Sequence, residues 1–334
     1  MNSKVAIIIG GSGYIGRNLL LYFLDRNRFD QYTVMDINPL EGFKHEIDSG
    51  KVEFVRADVR KTLPNIGIKM DGKESWVFNL AAVHREPGHD FKEYFDTNIP
   101  GAQNVNDFAN NLGVKNIFFT SSIAPYGRSR EQRNESSSLY PETGYGISKA
   151  IAEQIHQKWL NQNRAEKRLI IVRPSVIYGP HDPGNVLRMI KALKKGTFVL
   201  PNGGKVIKAY GYVFGLVESV MFTMDSRKEP LIVYNYAENP LVPLKEMTQI
   251  VRKKFGYSRP ALSVPTSFLA VIAGIIQVAT RIVGKKSDIH PVRVKKASFP
   301  TNIKPGFLIE NGFDFRYDFE KSLEHWKSVA PDDF

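Results

Sequence analysis

The sequence predicts a doubly wound parallel α/β sheet with a smaller C-terminal lobe, and three observations predict it. Short, continuous apolar runs rich in β-branched residues recur through the first half of the 334-residue chain, as in strands covered on both faces. Stretches with apolar residues three and four apart separate most of these runs, as crossover helices require. The first run ends in a glycine cluster that leads directly into the first helical stretch.

In chain order, Val5-Ala6-Ile7-Ile8-Ile9 reads as the first strand, and Ile15, Leu19, Leu20 and Phe23 give the following helix its apolar face. Residues 32–35, 52–56, 76–80, 117–120 and 169–172 read as further strands. After residue 174 the pattern loosens, with Pro174, Gly179, Pro180, Pro183 and Gly184 close together. A nucleotide-binding domain is therefore expected over 1–174, with later returns to it possible. Residues 175–334 are expected to form mainly a substrate-binding lobe, and the strand-like piece 231–236 is read as part of it. Residues 268–276 are all apolar, and the apolar character continues to Val283 with interruptions. That falls short of the roughly 20 residues a membrane span needs. A packed helix in the small lobe is expected; the alternative is a helix lying on a membrane surface with Lys285 and Lys286 at the headgroups.

Composition excludes several classes. Hydrophobic residues at 42% and charged residues at 24% argue against a disordered, collagenous or multi-span chain. No cysteine is present, which removes disulfides, a cysteine nucleophile and thiolate metal sites. Lys and Arg number 46 against 34 for Asp and Glu, and the resulting +12 favours anionic partners: phosphates, nucleic acid or an anionic membrane. The first apolar run is too short for a secretory signal, so a cytoplasmic location is expected and Asn134-Glu135-Ser136 is not read as a glycan site.

Gly10, Gly13 and Gly16 fall between the first strand and its helix. The turn needs residues without Cβ, a pyrophosphate must approach the backbone, and the helix N-terminus attracts the anion. Asp36 closes the second strand, where it can accept hydrogen bonds from an adenosine ribose, and Ile37 and Asn38 follow instead of Arg or Lys. NAD is expected over NADP. Asp58-Val59 lies where a carboxylate can meet the adenine amino group, or where an aspartate simply caps a turn. Tyr145 and Lys149, four apart on a helix, share one face. A neighbouring ammonium lowers a tyrosine pKa toward working pH, and Phe119-Thr120-Ser121-Ser122 would bring hydroxyls to the same edge of the sheet.

On these residues the chain resembles the extended short-chain dehydrogenase/reductase family, in its nucleotide-sugar epimerase/dehydratase branch. Further segments carry the resemblance: Asn79-Leu80-Ala81-Ala82, Thr97-Asn98-Ile99-Pro100-Gly101, Thr120 through Gly127, Val172 through Pro180, and Glu310-Asn311-Gly312-Phe313 followed by Ser322-Leu323. The resemblance implies a Rossmann-type domain holding NAD. Its contacts would be Gly10, Gly13, Tyr14, Ile15, Gly16, Asp36, Ile37, Asp58, Val59, Leu80, Ala81, Ala82, Asn98, Tyr145, Lys149, Pro174 and Val176. It implies that Ser122 and Tyr145 hydrogen-bond the reacting oxygen, with Lys149 on the nicotinamide ribose. His84, Asn185 and Lys208 would join Ser122 and Tyr145 in binding a nucleotide-sugar substrate; a loop histidine and a helix-capping asparagine are the plainer readings of the first two. No metal and no nucleic acid are implied. Family members commonly pair through two helices, which here would bring Val105, Phe108 and Leu112 together with Ile151 and Ile155 in a homodimer.

Departures narrow the reaction. The 4,6-dehydratases carry an Asp-Glu pair after the catalytic hydroxyl residue, where this chain has Ile123 and Ala124. Lys208-Ala209-Tyr210 stands where Arg-Asp-Tyr is usual, and the Arg-x-Gly-Asp segment of common hexose 4-epimerases is missing. The leading expectation is an NAD-dependent epimerase working through a 4-keto sugar in glycan precursor synthesis. A 4-keto-sugar reductase or dehydrogenase, or a hydroxysteroid-type dehydrogenase, would use the same residues. A non-enzymatic cofactor sensor or nucleic-acid-binding module would not need Ser122, Tyr145 and Lys149 together.

Overall fold

The computed structural model describes residues 2–85, 88–226, 229–269, 271, 274 and 299–334. Its centre is a seven-stranded sheet with all neighbours parallel, ordered β3-β2-β1-β4-β5-β6-β10. These strands are β1 (Val5–Ile9), β2 (Gln31–Asp36), β3 (Val52–Arg56), β4 (Trp76–Asn79), β5 (Asn116–Thr120), β6 (Arg168–Pro174) and β10 (Leu231–Tyr236). All five residues of β1 are buried, because helices cover both faces and no polar alternation is tolerated there. On one face α1 (Tyr14–Asp25) and α6 (Val213–Ser226) set Leu19, Leu20, Phe23, Val217 and Val220 against Phe78 and Phe118. On the other, α3 (Phe91–Asn111) and α4 (Gly144–Asn161) set Val105, Phe108, Ala152 and Trp159 against Ile7, Val77, Phe119 and Ile171. The strand order reverses between β1 and β4, which opens a crevice at their C-terminal ends.

Two expectations change. The piece 231–236 is an edge strand of the main sheet, paired with β6 from Leu231↔Leu169 to Tyr236↔Pro174. It follows α6, and the pair completes one more strand-helix-strand unit: Ile232, Tyr234 and Tyr236 lie in the core that α6 covers. Val105 and Phe108, expected on a subunit interface, are buried in the chain's own core. Both belong to the apolar stripe with which α3 covers the sheet.

A second core lies outside the sheet. It joins α5 (Asn185–Lys195), α7 (Leu244–Phe255) and the helix Phe319–Val329 around Ile190, Met247, Leu323 and Trp326. Two short parallel pairs accompany it: β7 (Val176–Tyr178) with β9 (Tyr210–Tyr212), and β8 (Val199–Pro201) with β11 (Leu262–Val264). No helix among the described residues is long and apolar enough to cross a membrane. Most of 268–283, including its expected helix and membrane-surface alternative, lies outside the described residues.

Candidate active site

The glycine turn is shaped by close approach. Gly10 has φ +80°, and a Cβ there would stand 2.5 Å from the Ala81 nitrogen. The Gly10 N–H donates to Met35 O at 2.7 Å, and the Leu80 N–H donates to Ile9 O at 2.8 Å, so the turn and the β4 exit through Leu80-Ala81-Ala82 form one floor. A Cβ on Gly16 would meet Gly11 Cα at 2.6 Å, so only glycine lets α1 start this close beneath the turn. Gly13 caps α1 without a side-chain hydrogen bond, leaving the first-turn amides to an anion. The Asp36 carboxylate is held at the same turn by the Ser12 and Asn38 N–H groups at 3.1 and 2.9 Å. Ile37 beside it is 53% exposed and offers an apolar face.

This cradle, with an acidic residue at its rim and helix amides at its floor, fits a dinucleotide. Ile15 packs into the core below it. The Tyr14 phenol is buried and finds no hydrogen-bond partner among the described residues, and burial raises its pKa. The Asp58 carboxylate is clamped by the Arg60 guanidinium at 2.6–3.0 Å, which holds it below the usual carboxylate range. Val59 packs where Gly101 has no side chain; a Cβ there would lie 3.2 Å from Val59 Cγ2. Both amide hydrogens of Asn98 are spent inside the chain, on Val83 O at 3.1 Å and Ser148 Oγ at 2.9 Å. Its Oδ1 accepts from the Val83 N–H at 2.9 Å, so Asn98 pins the loop after β4 to α3 and α4.

The residues expected to carry the chemistry lie on α4 and just past the end of β5. Thr143 caps α4 by accepting from the Gly146 N–H at 3.1 Å. The first turn is wedged between two walls: a Cβ on Gly144 would strike Phe91 at 2.9 Å, and one on Gly146 the Ala124 carbonyl at 2.8 Å. Tyr145 between them lies 6.1 Å, ring to ring, from Tyr94. Ser122 Oγ accepts from the Ala124 N–H at 3.1 Å, so its own proton is available. Lys149, one turn after Tyr145, is buried with its ammonium 4.2 Å from the Phe119 ring centre. Burial pushes its pKa down to about 7, against the opposing pull of Glu153.

Glu153 belongs to a buried network that sequence reasoning missed. Its carboxylate takes Arg173 Nε and Nη2 at 2.9 and 2.7 Å and the Ser121 hydroxyl at 2.5 Å. Arg173 Nη1 donates to the Tyr126 oxygen at 2.9 Å, and the Tyr126 hydroxyl donates to Asn235 Oδ1 at 2.8 Å. A second cluster holds His156 between Asn79 and Asn106 at 3.0 and 2.7 Å. Burial, then the Lys149 charge, pushes this imidazole down to about 3, so it is neutral. Glu135, inside the discounted sequon, accepts from the Asn235, Gly306 and Phe307 N–H groups. The available signal was the occurrence of Glu153 and His156 at four and seven residues past Lys149, charged and polar positions on a face otherwise packed on the sheet.

The comparisons with known proteins agree with this geometry. The profile of the NAD dependent epimerase/dehydratase family matches residues 6–237. The chain belongs to that family. It is 28% identical over 325 residues to an N-acetyl-alpha-D-glucosaminyl-diphospho-ditrans,octacis-undecaprenol 4-epimerase of Escherichia coli O157:H7, covering 97% of this chain and 94% of the relative. It is 27% identical over 324 residues to 3beta-hydroxysteroid-dehydrogenase/decarboxylase isoform 1 of Arabidopsis thaliana, covering 87% of this chain and 71% of the relative. The solved UDP-N-acetylglucosamine 4-epimerase from Bacillus cereus shares the fold, with a TM-score of 0.71, 17% identity and coverage of 98% and 96% of the two chains.

In this epimerase-family site, Pro174 and Val176 lie beside the β5 end: the Ile123 N–H donates to Pro174 O at 3.1 Å, and Val176 is 39% exposed. Val176 and Ser122 line one cavity of about 290 Å³ with Ile123, Ala124 and Tyr126. His84 is exposed on the loop after β4, and desolvation by the protein around the ring, then the Arg85 and Lys149 charges, lower its pKa against a backbone bond to Ala82. His89 is engaged by Glu93 at 2.7 Å. Asn185 opens α5 but does not cap it; Gly184 is the cap residue, and Asn185 Oδ1 accepts from Arg188 at 2.6 Å. The Lys208 ammonium donates to Phe299 O, and burial lowers its pKa to about 8.

Proposed function

We propose that the protein is an NAD-dependent epimerase that inverts C4 of a nucleotide sugar through a 4-keto intermediate, in glycan precursor synthesis. One observation supports this reading: the start of α4, with Tyr145 and Lys149, packs on the end of β5 that leads into Ser122, Gly146 against Ala124 and Lys149 over Phe119, while Ile123 and Ala124 line the cavity beside Ser122. Neither side chain can move a proton, so elimination of water has no acid or base there. When bound, NAD supplies the nicotinamide carbon that accepts a hydride and gives it back. The chain's own residues handle the proton. Tyr145 as phenolate takes it from the C4 hydroxyl, Ser122 donates a hydrogen bond to the same oxygen, and the Lys149 ammonium stabilises the phenolate. Glu153 favours that ammonium. The glycine cradle, Asp36, Ile37 and the Leu80–Ala82 floor would hold the cofactor, with Asp58, Val59 and Asn98 shaping its edge. His84, Asn185 and Lys208 are the substrate-side contacts.

The experiment is to incubate the NAD-loaded protein with UDP-, GDP- and dTDP-sugars, and with a polyprenyl diphospho-N-acetylhexosamine, the substrate class in the Escherichia coli relative's name. Epimerisation gives a product of unchanged mass and inverted C4 in the NMR spectrum. A change of two hydrogens selects the reductase or dehydrogenase reading, and a loss of water refutes this one. The homodimer, now without Val105 and Phe108, would use the partly exposed Leu112, which caps the end of α3, and Ile151 and Ile155 of α4; a monomer mass in light scattering would exclude it. We assign the protein to the cytoplasm, with which a chain without cysteine is compatible, as it is with other compartments.

A further inference from the structure

The positive charge of this chain is not spread evenly. Residues 183–217 contain six Lys or Arg and residues 247–287 contain seven, and neither segment contains an Asp or Glu. Those cations account for the whole +12, and the rest of the chain is close to neutral. The fold then joins the two segments. Helices α5 and α7 pack in the second core, both end at left-handed glycines, Gly196 and Gly256, and both lead into the parallel pair β8 and β11.

Their ends meet at Arg259. A Cβ on Gly196 would collide with the Arg259 stem, and the Arg259 guanidinium donates to Lys195 O at 3.4 Å. Lys194, Lys195 and Arg259 thus stand together at the start of the strand pair, and Lys205 follows its other end; all four are exposed. None of the four pairs with a carboxylate among the described residues, whereas Lys44, Lys92 and Lys254 each do. On the strand pair itself Leu262 is 63% exposed, and Phe268 just past it is 58% exposed. The turn that leads to Phe268 is fixed beside the end of β8, where the Thr266 N–H donates to Asn202 Oδ1 at 2.9 Å.

Large apolar side chains set among cations without carboxylate partners suit neither bare water nor a polyanion. Water leaves the apolar surface uncompensated, and a nucleic-acid backbone attracts the cations but offers nothing to a leucine. An anionic bilayer accommodates both, its headgroups holding the cations while the apolar groups enter the acyl boundary. We infer that the β8–β11 edge of the second core docks on an anionic membrane surface, with Lys194, Lys195, Lys205 and Arg259 at the headgroups and Leu262 and Phe268 below them. This docking needs no substrate and no turnover, so it stands apart from the proposed reaction.

The test is co-sedimentation of the NAD-loaded protein with vesicles of equal parts phosphatidylglycerol and phosphatidylcholine, and with vesicles of phosphatidylcholine alone. Wild type should bind the anionic vesicles, and less tightly as salt rises. Lys194→Gln, Lys195→Gln and Arg259→Gln together should weaken that binding about a hundredfold, at about fivefold for each cation near the surface. Leu262→Ser with Phe268→Ser should weaken it about ten- to a hundredfold. A control triple, Lys44→Gln, Lys73→Gln and Lys92→Gln, removes exposed cations elsewhere and should bind nearly as wild type. Unchanged NAD affinity reports an intact fold in each variant. Equal binding to both kinds of vesicle, binding to neither, or the same loss in the two triple variants would overturn the inference. Binding indifferent to the Leu262 and Phe268 substitutions would overturn it too, as would preference for a DNA duplex over the vesicles, the result that marks a nucleic-acid surface.

Discussion

In the proposed reaction Tyr145 would owe its role to what lies one helical turn away. A phenol with its ordinary pKa near 10 is a poor base at neutral pH, and in the proposed reaction the buried Lys149 ammonium would be what makes the phenolate accessible. Tyr145→Phe keeps the ring but removes the proton carrier, so turnover should fall about 10²–10⁴-fold while NAD affinity, measured by direct titration, stays near wild type. Lys149→Met should weaken both, since it removes the group expected on the nicotinamide ribose. This spacing was legible in the sequence because i and i+4 meet on any helix. The environment of Lys149 was not. Phe119 under its ammonium comes from β5, 30 positions earlier, and only packing of α4 on the sheet brings them together. Asn98 shows the same limit: its motif was visible, but the saturation of its amide by Val83 and Ser148 was not.

Among the elements, α4 connects the proposed reacting groups to the rest of the sheet. Glu153 on its buried side pairs with Arg173 of β6, and both side chains are almost wholly removed from water. Such a pair is costly to assemble and more costly to break. Arg173→Met should lower stability by about 3–5 kcal/mol, because it leaves the Glu153 carboxylate buried and unpaired; urea unfolding of the cofactor-free protein measures it. A loss below 1 kcal/mol would mean that water reaches the carboxylate. His156→Leu, which strands the Asn79 and Asn106 amides, should also destabilise, by about 2–5 kcal/mol for two buried groups left unsatisfied. Most strands were legible as elements, since β-branched runs between helices need no tertiary information. Strand β10 was legible as a strand, but not as a member of the main sheet, because strand order depends on which crossover helix packs on which face.

At the scale of the whole molecule, Glu238 ties the main sheet to the second core. It follows β10, accepts from the Tyr178 hydroxyl at the end of β7, and Tyr178 lies 2.5 Å from Ser322 Oγ on the helix Phe319–Val329. Burial pushes the Glu238 carboxyl up to about 8, so the folded protein holds its proton at neutral pH. The unfolded chain releases it near 4.5. The stability this proton confers is complete below about pH 4.5 and is lost as pH rises toward 8. Urea midpoints should therefore fall between pH 5 and pH 8 in wild type and change less in Glu238→Gln, whose amide is neutral throughout. Equal slopes in the two proteins would show that Glu238 is ionised in the fold.

The sequence by itself determined the alternating sheet, the glycine cradle and Asp36 at its rim, and it pointed to Ser122, Tyr145 and Lys149 as the proposed reacting set. Each of these follows from local chemistry: a turn that admits no Cβ, a strand end, or two positions on one helix. Tertiary structure alone decided that β10 joins the sheet, that Val105 and Phe108 face inward, and that Glu153, Arg173 and His156 form buried networks around Lys149. It also brought 129–133 beside 300–303, some 170 positions apart, to line the cavity at Ser122. The physical reason is that a lone charge or apolar residue is equally compatible with solvent, core or interface. Which of these it meets is set by the energy of the completed packing and by the partner that packing supplies.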